Sequence, residues 1–269
     1  MSRKYVLIGV EGPHDQAFVS RILCELLDFS KLDDDVSKLD EIWRKFIPVY
    51  PSKKGKLTQR LDMPEIFYND NFSIAIYVGV GDGLIRNLRD KLSDIDLSTL
   101  FAFAIVADAD NNTPNEVAEK YHNGFAKKCN NGFDEVEKCF SNFPIIVSQS
   151  GNVIEGSPRL GIYILPDNSQ QGVLDTLICD CGELVYPEYM QRAKEYIDKF
   201  SEEERKKKLK WKPFDQQKAI IATVASVLQP GATNTVTIKC DDWISLETAE
   251  IPAIKDFTEF LRNLLKLET

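Results

Sequence analysis

Apolar and polar positions along this chain switch between a period of two and a period near 3.6, and the switches set the order of its elements. Lys4 to Val10 (KYVLIGV) is a nearly continuous apolar run that ends at Glu11-Gly12-Pro13, and it predicts a central strand with a tight exit turn. Pro13 suits the first turn of a helix, and Phe18, Val19, Ile22, Leu23, Leu26 and Leu27 then recur at helical spacing. Phe72 to Val78 predicts the next strand, which runs into Gly79-Val80-Gly81-Asp82-Gly83 and a short helix carrying Leu84, Ile85, Leu88 and Leu92. Phe101 to Asn112 (FAFAIVADADNN) opens as a buried, parallel strand and stops on Asp108 and Asp110. Thr113-Pro114-Asn115-Glu116 has the spacing of a capping box with Pro at the first helical position, and its helix extends to about Lys128. A short helix around Val136 and Phe140 follows.

That strand-helix alternation implies right-handed crossovers and a mostly parallel sheet, hence an α/β fold. Asn142 to Gln149 and Leu160 to Leu165 predict two more strands around the polar loop SGNVIEGSPR, and Gly172 to Leu177 opens a helix. Residues 30–42 read as a polar surface insertion, Lys45 to Tyr50 as a short strand, and the region of Ile66 as another short segment. Beyond that the pattern is helical. Met190, Ala193, Ile197 and Phe200 mark one helix, Ile220, Ile221, Val224, Val227 and Leu228 a second, and Ile254, Phe257, Phe260, Leu261, Leu264 and Leu265 the last. The expected organisation is an α/β domain over residues 1–180 with a mostly helical C-terminal extension, 181–269, packed on it.

The candidate chemistry lies at strand ends. Residues two apart on an extended segment point the same way, so Asp108 and Asp110 can face one point at the carboxyl edge of the sheet, where ligands of open α/β folds bind. Glu11 sits just off another strand end, with Asp15 one helical turn on, at a helix N-terminus that favours anions. Carboxylates crowded in this way repel unless a cation, a proton or a basic group offsets them, and Mg²⁺ is a fitting hard cation. The plainer alternative is that Asp108 and Asp110 only cap a helix or close an Asx turn. Asp82 has the same two readings, and the glycine-rich turn around it could offer backbone N–H groups to a phosphate. Asp175, at the start of a helix, either caps it or joins the acidic site. Lys218, also at a helix start, is a candidate catalytic residue.

Composition narrows the field. The chain has 269 residues and a net charge of −9, so it is not a general nucleic-acid coat, and contact with a polyanion would use local basic patches or a metal bridge. Two basic stretches qualify: Lys53, Lys54, Lys56 and Arg60 in PSKKGKLTQR, and Lys206, Lys207 and Lys208 in SEEERKKKLKWK, where Trp211 could stack a base. A solvated face is the alternative for each. Six cysteines without a paired CxxC, and only two histidines, argue against structural zinc. The apolar run before Glu11 is too short for a signal peptide, and no stretch is long enough to span a membrane, so a reducing, cytoplasmic setting is expected.

The pair VEGPHD and IVADAD, in this order and at strand ends, resembles the Toprim domain shared by topoisomerases, bacterial primases, the ribonuclease that matures 5S ribosomal RNA and the overcoming-lysogenization-defect nucleases. The resemblance covers about residues 4–166. GIYILPDNSQQGVLDTLI, KAIIATVASV, Trp243 and FTEFLRNLLKL are also similar to an uncharacterised Toprim-like family of unknown function, with Asp175 standing where Glu is expected. The resemblance implies Mg²⁺ or Mn²⁺ held by Glu11, Asp15, Asp108 and Asp110, with Glu11 also serving as general acid or base. It implies a nuclease acting on DNA or RNA in a defence or repair system. With no Walker A motif in the chain, any ATP hydrolysis would come from a partner ATPase, and an oligomer is compatible. The chain is too short for topoisomerase gate domains and lacks a primase zinc module. Two rival readings are a non-catalytic binding or regulatory module with a structural Mg²⁺, and a phosphohydrolase or phosphotransferase acting on a small nucleotide.

Overall fold

A computed structural model describes residues 3–32, 38–46, 64–79, 81–126 and 135–267. The basic residues Lys53, Lys54, Lys56 and Arg60 lie outside the described residues, as does most of the strand expected over Lys45 to Tyr50; Lys45 itself ends a 3-10 turn, Glu41–Lys45.

Seven strands form one mixed sheet: β1 (Lys4–Val10), β2 (Ser30–Lys31), β3 (Glu65–Tyr68), β4 (Phe72–Val78), β5 (Leu100–Asp108), β6 (Asn152–Ile154) and β7 (Arg159–Leu165). Their order is β2-β3-β4-β1-β5-β7-β6. The four central strands are parallel, with Val10 level with Val78 on β4 and Val106 on β5, and Asp108 level with Leu165 on β7. β3 and β6 run antiparallel at the flanks. The central strands read cleanly from sequence because burial on both faces demands continuous apolar runs. The strand expected over Asn142 to Gln149 does not form. Pro144 and the bends around it leave Ile145 and Ile146 exposed, at 48% and 61%, and the edge strand is instead β6, inside the segment read as a polar loop.

Nine helices were found among the described residues: α1 (Pro13–Glu25), α2 (Leu84–Leu92), α3 (Pro114–Ala126), α4 (Glu135–Phe140), α5 (Leu174–Val185), α6 (Pro187–Ile197), α7 (Asp215–Leu228), α8 (Asn234–Cys240) and α9 (Pro252–Leu265). The capping box of α3 is present, with the Thr113 N–H donating to Glu116 Oε2 at 2.7 Å. Alternate residues of the central strands feed two cores. Val6, Ile8, Val10, Ala104, Val106 and Tyr163 face α1 and the helices from α5 to α9. Leu7, Phe103, Ile105 and Ile162 face α2, α3 and α4. The C-terminal helices thus share a core with α1 on one side of the sheet.

A partly buried polar cluster ties that helical layer to the sheet flank. Glu65 on β3 accepts from Lys31 (2.7 Å), Lys239 (2.6 Å) and Ser20 (2.7 Å), which come from β2, α8 and α1. Burial alone would raise the Glu65 carboxyl, but the two ammonium groups outweigh it and hold it below its ordinary value of 4.5. A depressed carboxyl adds stability above the unfolded-state value, and that stability is lost as pH falls through the folded-state value. Glu65→Gln is therefore expected to cost about 1–3 kcal/mol near neutral pH. The gap from wild type should close as melting is repeated below about pH 4. A gap that stays constant across this range would show that the charge is not what Glu65 contributes.

Candidate functional site

Parallel pairing brings the carboxyl ends of β1, β4, β5 and β7 to one edge, and the sequence places acids just beyond two of them. Glu11 leaves β1 on the α2–α3 side of the sheet and Asp108 ends β5 on the α1–α5 side, as their alternation with buried neighbours requires.

Glu11 is fixed by its neighbours. The glycine-rich turn after β4 latches onto the end of β1: the Gly79 N–H donates to Val10 O at 2.9 Å and the Gly81 N–H to Glu11 O at 3.0 Å. These N–H groups are therefore spent on holding the backbone of Glu11, not offered to a phosphate. Gly79 has no substitute here, since an added Cβ would lie 2.4 Å from Leu84 Cα. The side chain of Asp82 is outside the description, and the cap position of α2 is taken by Gly83. From α3, the buried Tyr121 hydroxyl donates to Glu11 Oε1 at 2.5 Å.

Asp15 and Asp108 complete a carboxylate trio. Asp15, 5% exposed, accepts the Gly12 N–H at 2.8 Å. Asp108 Oδ1 accepts the Leu174 N–H at 2.8 Å, so it caps α5 rather than the helix next in sequence. The capping alternative for Asp108 thus has a structural basis, at α5. Burial pushes the Asp15 carboxyl up to about 7, reinforced by the Glu11 charge. Burial, then the nearby Asp15, raises Asp108 well above the carboxylate range. Burial also raises Glu11, against the pull of the Tyr121 bond and of Lys120. Burial and the Glu11 charge keep the Tyr121 hydroxyl protonated.

Asp110 is exposed, in the left-handed region at φ 51°, with its backbone bridged to Gly172 in both directions at 2.7 and 3.0 Å. It adds negative potential to Glu11 and Asp108 from the rim. Asp175, 6% exposed at the start of α5, is raised by burial and steadied by His14 and Lys218. Lys218 is exposed at the start of α7 and lies within electrostatic range of Asp15 and Asp175. Tyr121 and His14 carried no assigned role in the sequence reading. Tyr121 falls on the apolar stripe of α3, and the one usable signal is that α3 follows the Asp-Ala-Asp strand directly.

Lys206, Lys207 and Lys208 pair with Glu202, Glu203 and Glu204 of their own segment rather than with the acid trio. Trp211 is half-buried with the Arg205 guanidinium over its ring at 5.6 Å, so it is not presented to stack a base.

Among the described residues, no three His, Cys, Asp or Glu side chains stand close enough, as placed, to hold a metal ion. The donor chemistry nevertheless fits a hard dication: oxygen-only ligands whose proton affinity burial raises, with Glu11 adding to the rise at Asp15, and Asp15 and Glu11 adding to it at Asp108.

The chain belongs to the family described as protein of unknown function DUF3226, whose model matches residues 5–266. No curated protein matches it. The fold is similar to the crystal structure of the hypothetical protein PH0156 from Pyrococcus horikoshii OT3, with a TM-score of 0.52 and 16% identity over 98% of this chain and 97% of that one. That likeness shows a shared α/β architecture over the full length.

Asp108→Asn keeps an acceptor for the Leu174 N–H while removing one acid of the trio. It is expected to melt about 2–4 °C above wild type in chelator, the shift of roughly 1 kcal/mol in a domain of this size. Millimolar Mg²⁺ should then stabilise wild type more than the variant. A variant that melts lower in chelator would mean that the trio is not under mutual repulsion.

Proposed function

We propose that this chain is a Mg²⁺- or Mn²⁺-dependent phosphodiesterase of Toprim type that hydrolyses DNA or RNA. The observation that carries the reading is the placement of Glu11 and Asp15, from the β1–α1 connection, and Asp108, from the end of β5, at one edge of a parallel sheet, in surroundings that raise all three carboxyls. The motifs VEGPHD and IVADAD supply the same residues.

Glu11, Asp15 and Asp108, with Asp110 at the rim, would hold the cation. When bound, a divalent cation reverses the local charge so that an anionic phosphodiester can approach, and it stabilises charge developing on the phosphoryl oxygens. Glu11, with raised proton affinity and its orientation set by Tyr121, is the group placed to accept a proton from an attacking water. Lys218 supplies a fixed positive charge beside Asp15 and Asp175, suited to a phosphate oxygen.

A second reading, a regulatory module with a structural cation, draws on the open spacing of the acids and on the net charge of −9. A small-nucleotide phosphohydrolase would use the same centre without a groove. We place the protein in the cytoplasm, where free thiols such as Cys24, Cys139, Cys179, Cys181 and Cys240 persist. No helix among the described residues is long and apolar enough to cross a membrane. An ATPase partner in a defence or repair system follows by analogy with the Toprim nucleases.

Purified protein is expected to cleave a polynucleotide with Mg²⁺ or Mn²⁺ and to leave mononucleotides intact, with Asp108→Ala reduced to background. Tyr121→Phe should lower kcat by about 10–100-fold, the usual scale for loss of a ligand-orienting partner, with KM nearly unchanged. Cleavage of mononucleotides alone would favour the small-nucleotide enzyme. Absence of cleavage with retained Mg²⁺ binding would favour the regulatory module.

A further inference from the structure

The basic segment between α6 and α7 is joined to the acid centre by a short chain of contacts. Asp108 takes the Leu174 N–H at the start of α5 (2.8 Å). One turn along α5, Cys179 Sγ lies 3.9 Å from Gln217 O in the first turn of α7. In that same turn, Asp215 Oδ2 accepts the Lys212 N–H (2.8 Å) and Gln216 Oε1 accepts from Arg205 (3.0 Å). Lys218 follows and lies within electrostatic range of Asp15 and Asp175. Residues 205–212 are therefore tied to the first turn of α7, the turn that carries Lys218.

The cations of this segment are lightly held. Glu204–Lys208 is π-helical, a geometry frequent at functional sites. The side chains of Lys206, Lys207 and Lys208 are 70%, 76% and 76% exposed, and they pair with Glu202, Glu203 and Glu204 at 2.5, 2.9 and 3.6 Å. Exposed pairs of this i,i+4 kind contribute only about 0.3–0.5 kcal/mol each, so a denser anion can displace the glutamates. Lys210 follows with a left-handed backbone at φ 55°. The stretch SEEERKKKLKWK holds six cations against three acids, in a chain whose net charge is −9.

We propose that Lys206, Lys207, Lys208 and Lys210 form a docking track for a nucleic-acid backbone leading to the acid centre, with Glu202, Glu203 and Glu204 as counter-ions that the phosphates displace. The choice of a polynucleotide as occupant rests on the phosphodiesterase reading above. Since Trp211 is covered by Arg205, the track reads phosphates and not bases.

The test uses the full chain in chelator, with fluorescein-labelled DNA and RNA of about 20 nucleotides, followed by anisotropy across a salt series. The triple variant Lys206→Gln, Lys207→Gln, Lys208→Gln is expected to bind about tenfold or more weakly, with a salt slope shallower by about two to three. The triple variant Glu202→Gln, Glu203→Gln, Glu204→Gln is expected to bind more tightly. Thermal melting confirms that both variants are folded. A purely structural role would shift both variants in the same direction. Same-signed shifts, no shifts, or no binding by the parent protein would each overturn the track. Opposite-signed shifts without any phosphodiester cleavage would leave the track standing and remove the nuclease. Cleavage by a protein whose variants bind like the parent would do the reverse.

Discussion

Acidic groups gathered in partly buried surroundings at one edge of the sheet are the constraint around which this molecule is arranged. Glu11, Asp15 and Asp108 come from β1, α1 and β5, and burial raises the proton affinity of each. A fold does not bring three such groups together for stability, because every one of them would be better solvated alone. The protein offsets the repulsion only in part. The Tyr121 hydroxyl, the Gly12 N–H and the Leu174 N–H each satisfy one carboxylate oxygen. None of the three partners carries a formal charge. Lys120 acts on Glu11 and Lys218 on Asp15, and the raised proton affinity of the acids shows how much repulsion is left for a proton or a cation to relieve.

The rest of the architecture serves that crowding. Parallel pairing of β4, β1, β5 and β7 sends all four carboxyl ends to one edge. Helices α1 and α5 begin there, so their N-terminal dipoles favour Asp15 and Asp108, the acids that accept their leading N–H groups. The turn at Gly79 and Gly81 anchors the backbone of Glu11. On the flank of the sheet, the Glu65 cluster with Lys31, Lys239 and Ser20 locks the C-terminal helical layer against β3. That layer brings α7, and with it Lys218, to the acid centre.

Much of this was legible in the chain. Central strands such as β1 and β4 announce themselves because both faces are buried, and Pro13, Pro114 and the Thr113–Glu116 box mark helix starts chemically. The edge of the sheet was not legible. β6 spans three residues of mixed polarity, while the more apolar Phe143-Pro144-Ile145-Ile146 stretch looks more strand-like than it is. Helix α8, built largely from Asn, Thr and Val, has no strong periodicity and was not anticipated. At the site, the acids stood out by residue type at strand ends. Tyr121 did not, because a tyrosine on an apolar helical stripe looks like any core aromatic until its hydroxyl is seen at Glu11. The basic run was visible as a charge pattern, but its own glutamates were not recognised as its partners, and its position beside α7 is set by tertiary contacts alone.

The central claim is that the trio exists to hold a divalent cation. Electron paramagnetic resonance of Mn²⁺ tests it directly, since the six-line signal of the free ion fades as the ion is bound. Titration of the wild-type chain is expected to deplete that signal with a stoichiometry of at least about one ion per chain, reversed by excess Mg²⁺, while Asp108→Ala leaves the signal of the free ion intact. Equal depletion by wild type and Asp108→Ala, or none by either, would contradict the account and return these acids to capping the helices they touch.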